Sequence, residues 1–168
     1  MDIKKSSFKG SWRDIEYYTD GRIIVGEWQP NIMVNGVNLL IASYLKNEGI
    51  PGISHWAVGE GDPNWDEHES SLTPYASMLI NEIGRKPVSH IIYINESNEP
   101  SEVNTNRLLV TCIFETGDCI GTWREFALFG GDANMTLDSG IMINHKAHQK
   151  YLKTINVTVE RQIRFIFE

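Results

Sequence analysis

Hydrophobic and polar residues alternate through the last fourteen positions of the chain. Ile155, Val157, Val159, Ile163, Phe165 and Phe167 share one face, while Asn156, Thr158, Glu160, Gln162, Arg164 and Glu168 share the other. Successive side chains of a strand point to opposite faces, so this period predicts a half-buried β-strand. At about 3.3 Å per residue it would run roughly 45 Å, well beyond the common strand. Such a strand needs a large sheet, or a neighbouring subunit, over its apolar face. Arg161 falls on that face between Val159 and Ile163. A guanidinium buried alone is costly, so Arg161 demands a carboxylate partner or a subunit boundary. The boundary is the expectation, and a bulge at Arg161 is the alternative.

The rest of the pattern is mostly strand-like. Residues 14–28 read as a hairpin: Ile15, Tyr17 and Tyr18 lead into Asp20-Gly21, and Ile23-Ile24-Val25 leads out. Pro30-Asn31 is expected to break that strand. From Val34 to Leu45 the period changes, with Val37, Leu40, Ile41, Tyr44 and Leu45 at helical spacing, Asn35 as N-cap and Gly49 as stop. Ser54 to Val58 is a short strand, followed by a Gly/Asp/Pro/Asn loop to Ser71. Leu72 to Ile83 predicts a second helix with Pro74 in its first turn and Gly84 ending it. Val88 to Ile94, Leu108 to Phe114, Ile120 to Phe129 and Ile141 to Ile143 read as strands; Thr116-Gly117-Asp118 joins the second and third as a hairpin. The expected fold is mainly β (α+β): an antiparallel β-sandwich-like domain, or one sheet carrying a helix, with one main helix and the long terminal strand. Residues 1–30 form an N-terminal extension and hairpin, and residues 31–168 a single β-rich domain.

Composition narrows the function. Hydrophobic residues make up 41% and charged ones 22%, as in a folded globular chain rather than a disordered one. A formal charge of −7 opposes a nucleic-acid or anionic-membrane surface as main partner. Lys146, Lys150 and Lys153 read as a solvated rim. Residues 1–8 lack the apolar core of a signal peptide, and no apolar run reaches the length of a membrane span, so no membrane insertion is expected. The two cysteines, Cys112 and Cys119, read as reduced thiols, with Cys112 in the core and Cys119 near a turn.

No motif specifies a reaction. Asp62-Pro63-Asn64-Trp65-Asp66 opens like a calcium loop, but Glu67 stands where the sharp turn needs Gly and Thr73 where a bidentate Glu belongs. His145 and His148 are three apart but lack the Glu of a zinc-protease helix, and they read as exposed on a loop. Cys112 with His90 or His145 would need a core thiol to act as nucleophile. The expectation is therefore no catalytic residues, no cofactor and no metal. Trp12, Tyr17, Tyr18, Trp28, Trp56, Trp65 and Trp123 are spread through turns and strand ends. Such aromatic residues either cover core edges or anchor subunit contacts. Trp12, Trp28, Arg161, Ile163, Phe165 and Phe167 are the candidate interface residues.

Several segments recur in a recognisable order. They are Asp20-Gly21-Arg22 leading to Trp28-Gln29-Pro30-Asn31-Ile32-Met33-Val34-Asn35-Gly36, the helix 37–45, and Ser54-His55-Trp56-Ala57-Val58-Gly59-Glu60-Gly61. Leu79-Ile80-Asn81-Glu82-Ile83-Gly84-Arg85, Trp123-Arg124-Glu125-Phe126-Ala127-Leu128-Phe129-Gly130 and the step Lys153-Thr154-Ile155 follow. From about residue 20 to its end, the chain resembles small virion proteins of tailed bacteriophages, of the tail-fibre, tail-tip and baseplate kind. The resemblance implies a non-enzymatic structural role in the virion, assembled in the host cytoplasm. It also implies symmetric self-assembly as a homo-oligomer (trimer or hexamer) and contacts with other phage tail proteins. The alternative is a receptor- or carbohydrate-binding β-sandwich at a fibre tip, with Trp65 and Tyr75 stacking on sugar rings above the loop of Asp62 and Asp66. A hydrolase would need two carboxylates at glycosidase separation in a cleft.

Overall fold

The terminal alternation becomes the middle of a sheet. In the computed structural model, which describes residues 8–168, β1 (Phe8–Tyr18), β2 (Ile23–Val25) and β3 (Gln29–Asn31) precede α1 (Gly36–Leu45). Then come β4 (His55–Gly59), a 3-10 turn (Pro63–Asp66), β5 (Glu82–Pro87), β6 (His90–Tyr93) and β7 (Arg107–Phe114). The last strands are β8 (Gly121–Gly130), β9 (Ile141–Met142), β10 (Lys146–Lys153) and β11 (Val157–Phe167). Among the described residues the fold is mainly β, with two antiparallel sheets and α1 as the single α-helix. The first sheet has the order β2-β1-β11-β7-β6, with β3 also on β1; the second has the order β10-β8-β4-β5, with β9 also on β8.

Strand β11 needs no neighbouring subunit to cover it. Its whole length pairs with β1, from Phe8 opposite Phe167 to Tyr18 opposite Val157, and its other edge pairs with β7. Its inward face meets the second sheet in one core of Trp12, Val110, Phe114, Val159, Ile163 and Phe165 against Trp56, Val58, Trp123, Phe126 and Leu128. Two inner faces interdigitating this way make a β-sandwich. The register through Arg161 is unbroken, so no bulge turns it outward.

A smaller cluster of Val34, Ala57, Leu79, Ala127, Phe129 and Met142 lies apart from that core. By strand alternation Ala57, Ala127 and Phe129 belong to the far face of the second sheet. Segments 72–81 and 131–140 cover it, so this sheet is covered on both faces and β8 is buried without interruption from Trp123 to Gly130, Arg124 and Glu125 included.

Several expectations are corrected. Residues 8–30 are no appendage: β1 is an interior strand of the first sheet, while residues 1–7 lie outside the described residues. The Asp20-Gly21 turn does form, with Gly21 at φ +90° and the Tyr18 amide donating to the Arg22 carbonyl. Pro30 does not break the chain but sits within β3, opposite Ser11, on an edge where its missing N–H costs nothing. Helix α1 starts at Gly36 after Asn35, whose side chain makes no capping bond, and ends at Lys46 before Asn47 at φ +63°.

There is no helix over 72–83. The Ile80 and Asn81 amides donate to the Glu125 carboxylate (3.1 and 2.9 Å) and the Asn81 carbonyl accepts from Glu60, so this backbone is committed to the sheet. Gly84 lies inside β5 rather than at a helix end. Thr116-Gly117-Asp118 is likewise no hairpin. It is a corner carrying the chain from the first sheet (β7) to the second (β8), because both edges of each strand are already taken by other partners.

Candidate functional site

Strands β1 and β10 face each other at one margin of the sandwich, and the gap between them is a polar cleft. Trp12 and Asp14 of β1, Gln29 of β3 and residues 148–151 of β10 line it, enclosing about 520 Å³. Strand β10 is irregular here: Ala147 pairs with Glu125 and Tyr151 with Trp123, so β10 uses four steps where β8 uses two. That bulge pushes Gln149 and Lys150 out of the ladder to the surface.

Arg161 lies beneath the lining. It is fully buried, and Nε and Nη2 both donate to the Asp14 carboxylate at 2.6 Å, a fork-to-fork pair within one chain. Its guanidinium carbon lies 5.0, 5.0 and 4.7 Å from the ring centres of Trp12, Trp123 and Phe126. Asp14 sits directly opposite Arg161 in the β1–β11 register, which places the carboxylate where the cation needs it. The boundary expectation for Arg161 is thus replaced by an intrachain partner.

His148 is part of the lining. Its Nδ1 is 2.7 Å from the Gln149 carbonyl, which only accepts, so Nδ1 carries the proton and Nε2 is free to accept from Arg161 at 3.3 Å. Burial first, and the Arg161 charge second, push its pKa down to about 3. Beside it, Tyr151 and Tyr18 both donate to the Glu16 carboxylate (3.1 and 2.5 Å). Burial, reinforced by Glu16, holds the Tyr151 phenol well above its ordinary value.

A second hollow of about 360 Å³ adjoins the first across Gln149 and Lys150, and its other wall is Trp65 and Asp66. The 3-10 turn that carries them begins at Asp62, whose Oδ1 accepts the Asn64 amide at 2.9 Å. Gly61, at φ +60°, has no side chain where Trp65 packs; a Cβ there would meet the indole at 2.5 Å. Arg124 donates to both oxygens of Asp66 at 2.8 Å, and this pairing holds the Asp66 carboxyl below the usual carboxylate range.

The predicted site residues are therefore distributed. Trp12, Trp65 and Asp66 meet along these two hollows, while Asp62 serves as a turn cap and Tyr75, 81% exposed, does not line them. Ile163 and Phe165 are buried in the core, and Phe167 packs against it from the margin. Trp28 stacks against the guanidinium groups of Arg13 (4.6 Å) and Arg164 (3.5 Å). Trp12, Trp56 and Trp123 are buried within the chain's own core. Among the described residues no group of three or more His, Cys, Asp or Glu side chains is arranged to hold a metal.

No protein-family model, curated protein or solved structure matches this chain.

His145 is buried, not exposed on a loop; its Nε2 is 2.7 Å from the Glu125 carboxylate that also accepts the Ile80 and Asn81 amides. Gly59 leaves room for that carboxylate, since a Cβ would come within 2.6 Å of it. Lys153 is no rim lysine: it is buried and donates to the Glu115, Thr116 and Thr154 carbonyls (2.8, 3.3 and 3.3 Å), tying the β7–β8 corner to the β10–β11 turn. These groups are structural clamps.

An apolar groove of about 310 Å³ opens at the opposite end of the first sheet. Met33, Leu40, Ile41 and Leu45 face Phe165 and Phe167 across it, so the distal terminal strand and α1 form its walls. The helical spacing puts Leu40, Ile41 and Leu45 on one face, and Phe165 and Phe167 stand among the candidate interface residues. The pattern does not show that the helix stops short of closing over them. The signal available was the pair Tyr44-Leu45 at the helix end; each is 77% exposed.

Proposed function

We propose that this chain is a non-enzymatic structural subunit of a bacteriophage tail, which assembles head-to-tail with copies of itself and docks neighbouring tail proteins. The observation that carries the reading is a pair of apolar features at opposite ends of one sheet. At one end Ile23, Ile24 and Val25 of edge strand β2 are 62, 46 and 57% exposed. They sit level with Thr158 and Glu160 of β11, through Tyr17 and Ile15. At the other end lies the groove floored by Phe165 and Phe167. The seven steps from Thr158 to Phe165 put roughly 24 Å between them. A patch and a socket on different parts of one molecule suit a head-to-tail contact, in which each copy sets its patch into the next copy's socket. They join copies heterologously, giving a ring or a stack.

Magnitudes make the single contact weak. Full burial of an aliphatic side chain is worth roughly 1.5–3 kcal/mol, and association costs at least about 4 kcal/mol before any gain appears. Three half-exposed side chains therefore support reversible association, reinforced where a ring closes or a neighbouring protein adds contacts. The virion context rests on the resemblance of the ordered sequence motifs to tail proteins alone.

The test is mass by light scattering over about 1 µM to 1 mM, the range in which a weak contact registers. The parent chain should grow in mass with concentration. Ile24→Asp and Leu45→Asp, both at exposed positions, should each remain monomeric with an unchanged far-UV spectrum. Mixed together they should form a dimer, because each retains one intact half of the junction. A parent that stays monomeric throughout, or variants that fail to complement, would overturn the assembly reading. Absence of its peptides from purified tailed particles would overturn the virion placement.

A further inference from the structure

The two polar hollows across β10 share one construction. Each has a tryptophan on its wall and an aspartate whose carboxylate is gripped on both oxygens by a buried arginine: Trp12 with Asp14 on Arg161, and Trp65 with Asp66 on Arg124. Gln149 and Lys150 form the saddle between them, lifted there by the bulge. The Asp14 and Asp66 side chains remain 16% and 33% exposed. A carboxylate has about four lone-pair directions, and the arginine fork occupies two, so two per aspartate are left toward the hollow. The indole N–H of Trp12, buried at the first hollow's wall, has no partner in the chain.

We infer that this pair of hollows is a binding groove for a neutral oligosaccharide spanning at least two sugar rings. Fixed carboxylates accept hydrogen bonds from ligand hydroxyls without reorganising, because their arginines hold them. Gln149 both donates and accepts, and Lys150 donates to ring or hydroxyl oxygens. Trp65 offers an indole face to the apolar face of a pyranose. Arg161 and Arg124 spend their forks on the aspartates, so neither is free to grip a phosphate or other anion. An added peptide strand is also disfavoured, because the bulge interrupts the regular edge that β-strand pairing requires. Together the hollows fall within the range of about 300–1,000 Å³ typical of small-molecule sites. The groove shares no lining residue with the exposed β2 side chains or the α1 groove of the assembly reading, so different variants test the two.

The full-length chain should be titrated with maltohexaose, cellohexaose, chitohexaose and α-mannohexaose, followed by tryptophan fluorescence and calorimetry. At least one should bind. Trp65→Ala should weaken it by about tenfold or more, the size expected for loss of an aromatic anchor, with Trp65→Phe recovering part of the loss. Gln149→Ala combined with Lys150→Ala, both at exposed positions, should weaken it as well without moving the melting temperature. Ile24→Asp and Leu45→Asp should leave it unchanged. No binding of any of the four at about 10 mM, beyond any useful affinity, overturns the inference. Binding indifferent to both groove variants overturns it equally.

Discussion

Arg161 is the residue whose removal tests the folding argument most sharply. Arg161→Met keeps much of the aliphatic volume but deletes the guanidinium, leaving the largely buried Asp14 carboxylate without its bidentate partner. Breaking a buried ion pair from one side costs about 3–5 kcal/mol, and three aromatic contacts to the cation go with it. Against a total stability of about 5–15 kcal/mol, that is about a fifth at the least. Asp14→Leu should be at least as harmful, because it strands a fully buried cation whose only other polar contact is the His148 ring. The double variant should behave differently: with both charges gone, stability should return to within about 1 kcal/mol of the parent, or exceed it. Urea unfolding followed by tryptophan fluorescence and far-UV dichroism, extrapolated to water, measures all four corners of the cycle. A coupling energy of about 3 kcal/mol or more is expected. If Arg161→Met costs under about 1 kcal/mol, or if the two losses simply add, the buried pair does not organise this core and the reasoning fails.

Two further outcomes follow from the same interior. Burial pushes the Cys112 thiol to about 12 and the Cys119 thiol to about 11, so the folded protein should alkylate very slowly at pH 8, with Cys112 modified only on unfolding. Reducing agent should leave the melting temperature unchanged, and Cys112→Ala should cost about 1–2 kcal/mol; fast stoichiometric labelling would contradict this. His148 holds its ring neutral down to about pH 3, whereas the unfolded chain takes up that proton near pH 6.5. Its contribution is complete above pH 6.5 and is lost as pH falls toward 3, by up to about 2 kcal/mol at pH 5. His148→Gln should flatten the parent's stability slope between pH 6.5 and 5, and equal slopes would refute the assignment.

Much of the fold was legible where one physical rule acts alone. The alternation of residues 155–168 specified β11, and Asp20-Gly21 specified its turn, because strand period and left-handed backbone are local properties. The helix followed from its change of period. The errors fall where tertiary partners override local preference. Residues 72–83 carry a helical spacing of apolar groups, yet Glu125, some 45 positions away, captures the Ile80 and Asn81 amides. The β7–β8 connection reads as a hairpin because turn chemistry does not reveal which sheet the next strand joins. Lys153 and His145 read as surface residues since composition gives no sight of the carbonyls and carboxylate that satisfy them. The groove itself was half visible: Trp65 and Asp66 stood out, but Trp12, Asp14 and Gln149 meet them only through pairing of distant strands.

Two of the places where the strand pattern breaks also shape the groove. Arg161 interrupts the apolar face of β11. Arg124 lies between Trp123 and Phe126, which both enter the inner core although they are three residues apart, so the alternation of β8 slips there as well. Each arginine is buried, and each spends its fork on an aspartate at a groove wall. An apolar pair in place of either arginine and its aspartate would pack as well or better, since replacing a buried ion pair by apolar side chains is commonly neutral or stabilising. Local rules broken in this way, without a gain in stability, are expected at functional sites more than elsewhere. The two arginines therefore favour a binding role for the β10 margin over a purely architectural one. The Arg161 cycle bears on this directly: a double variant as stable as the parent yet blind to oligosaccharide would separate the pair's part in binding from its part in folding.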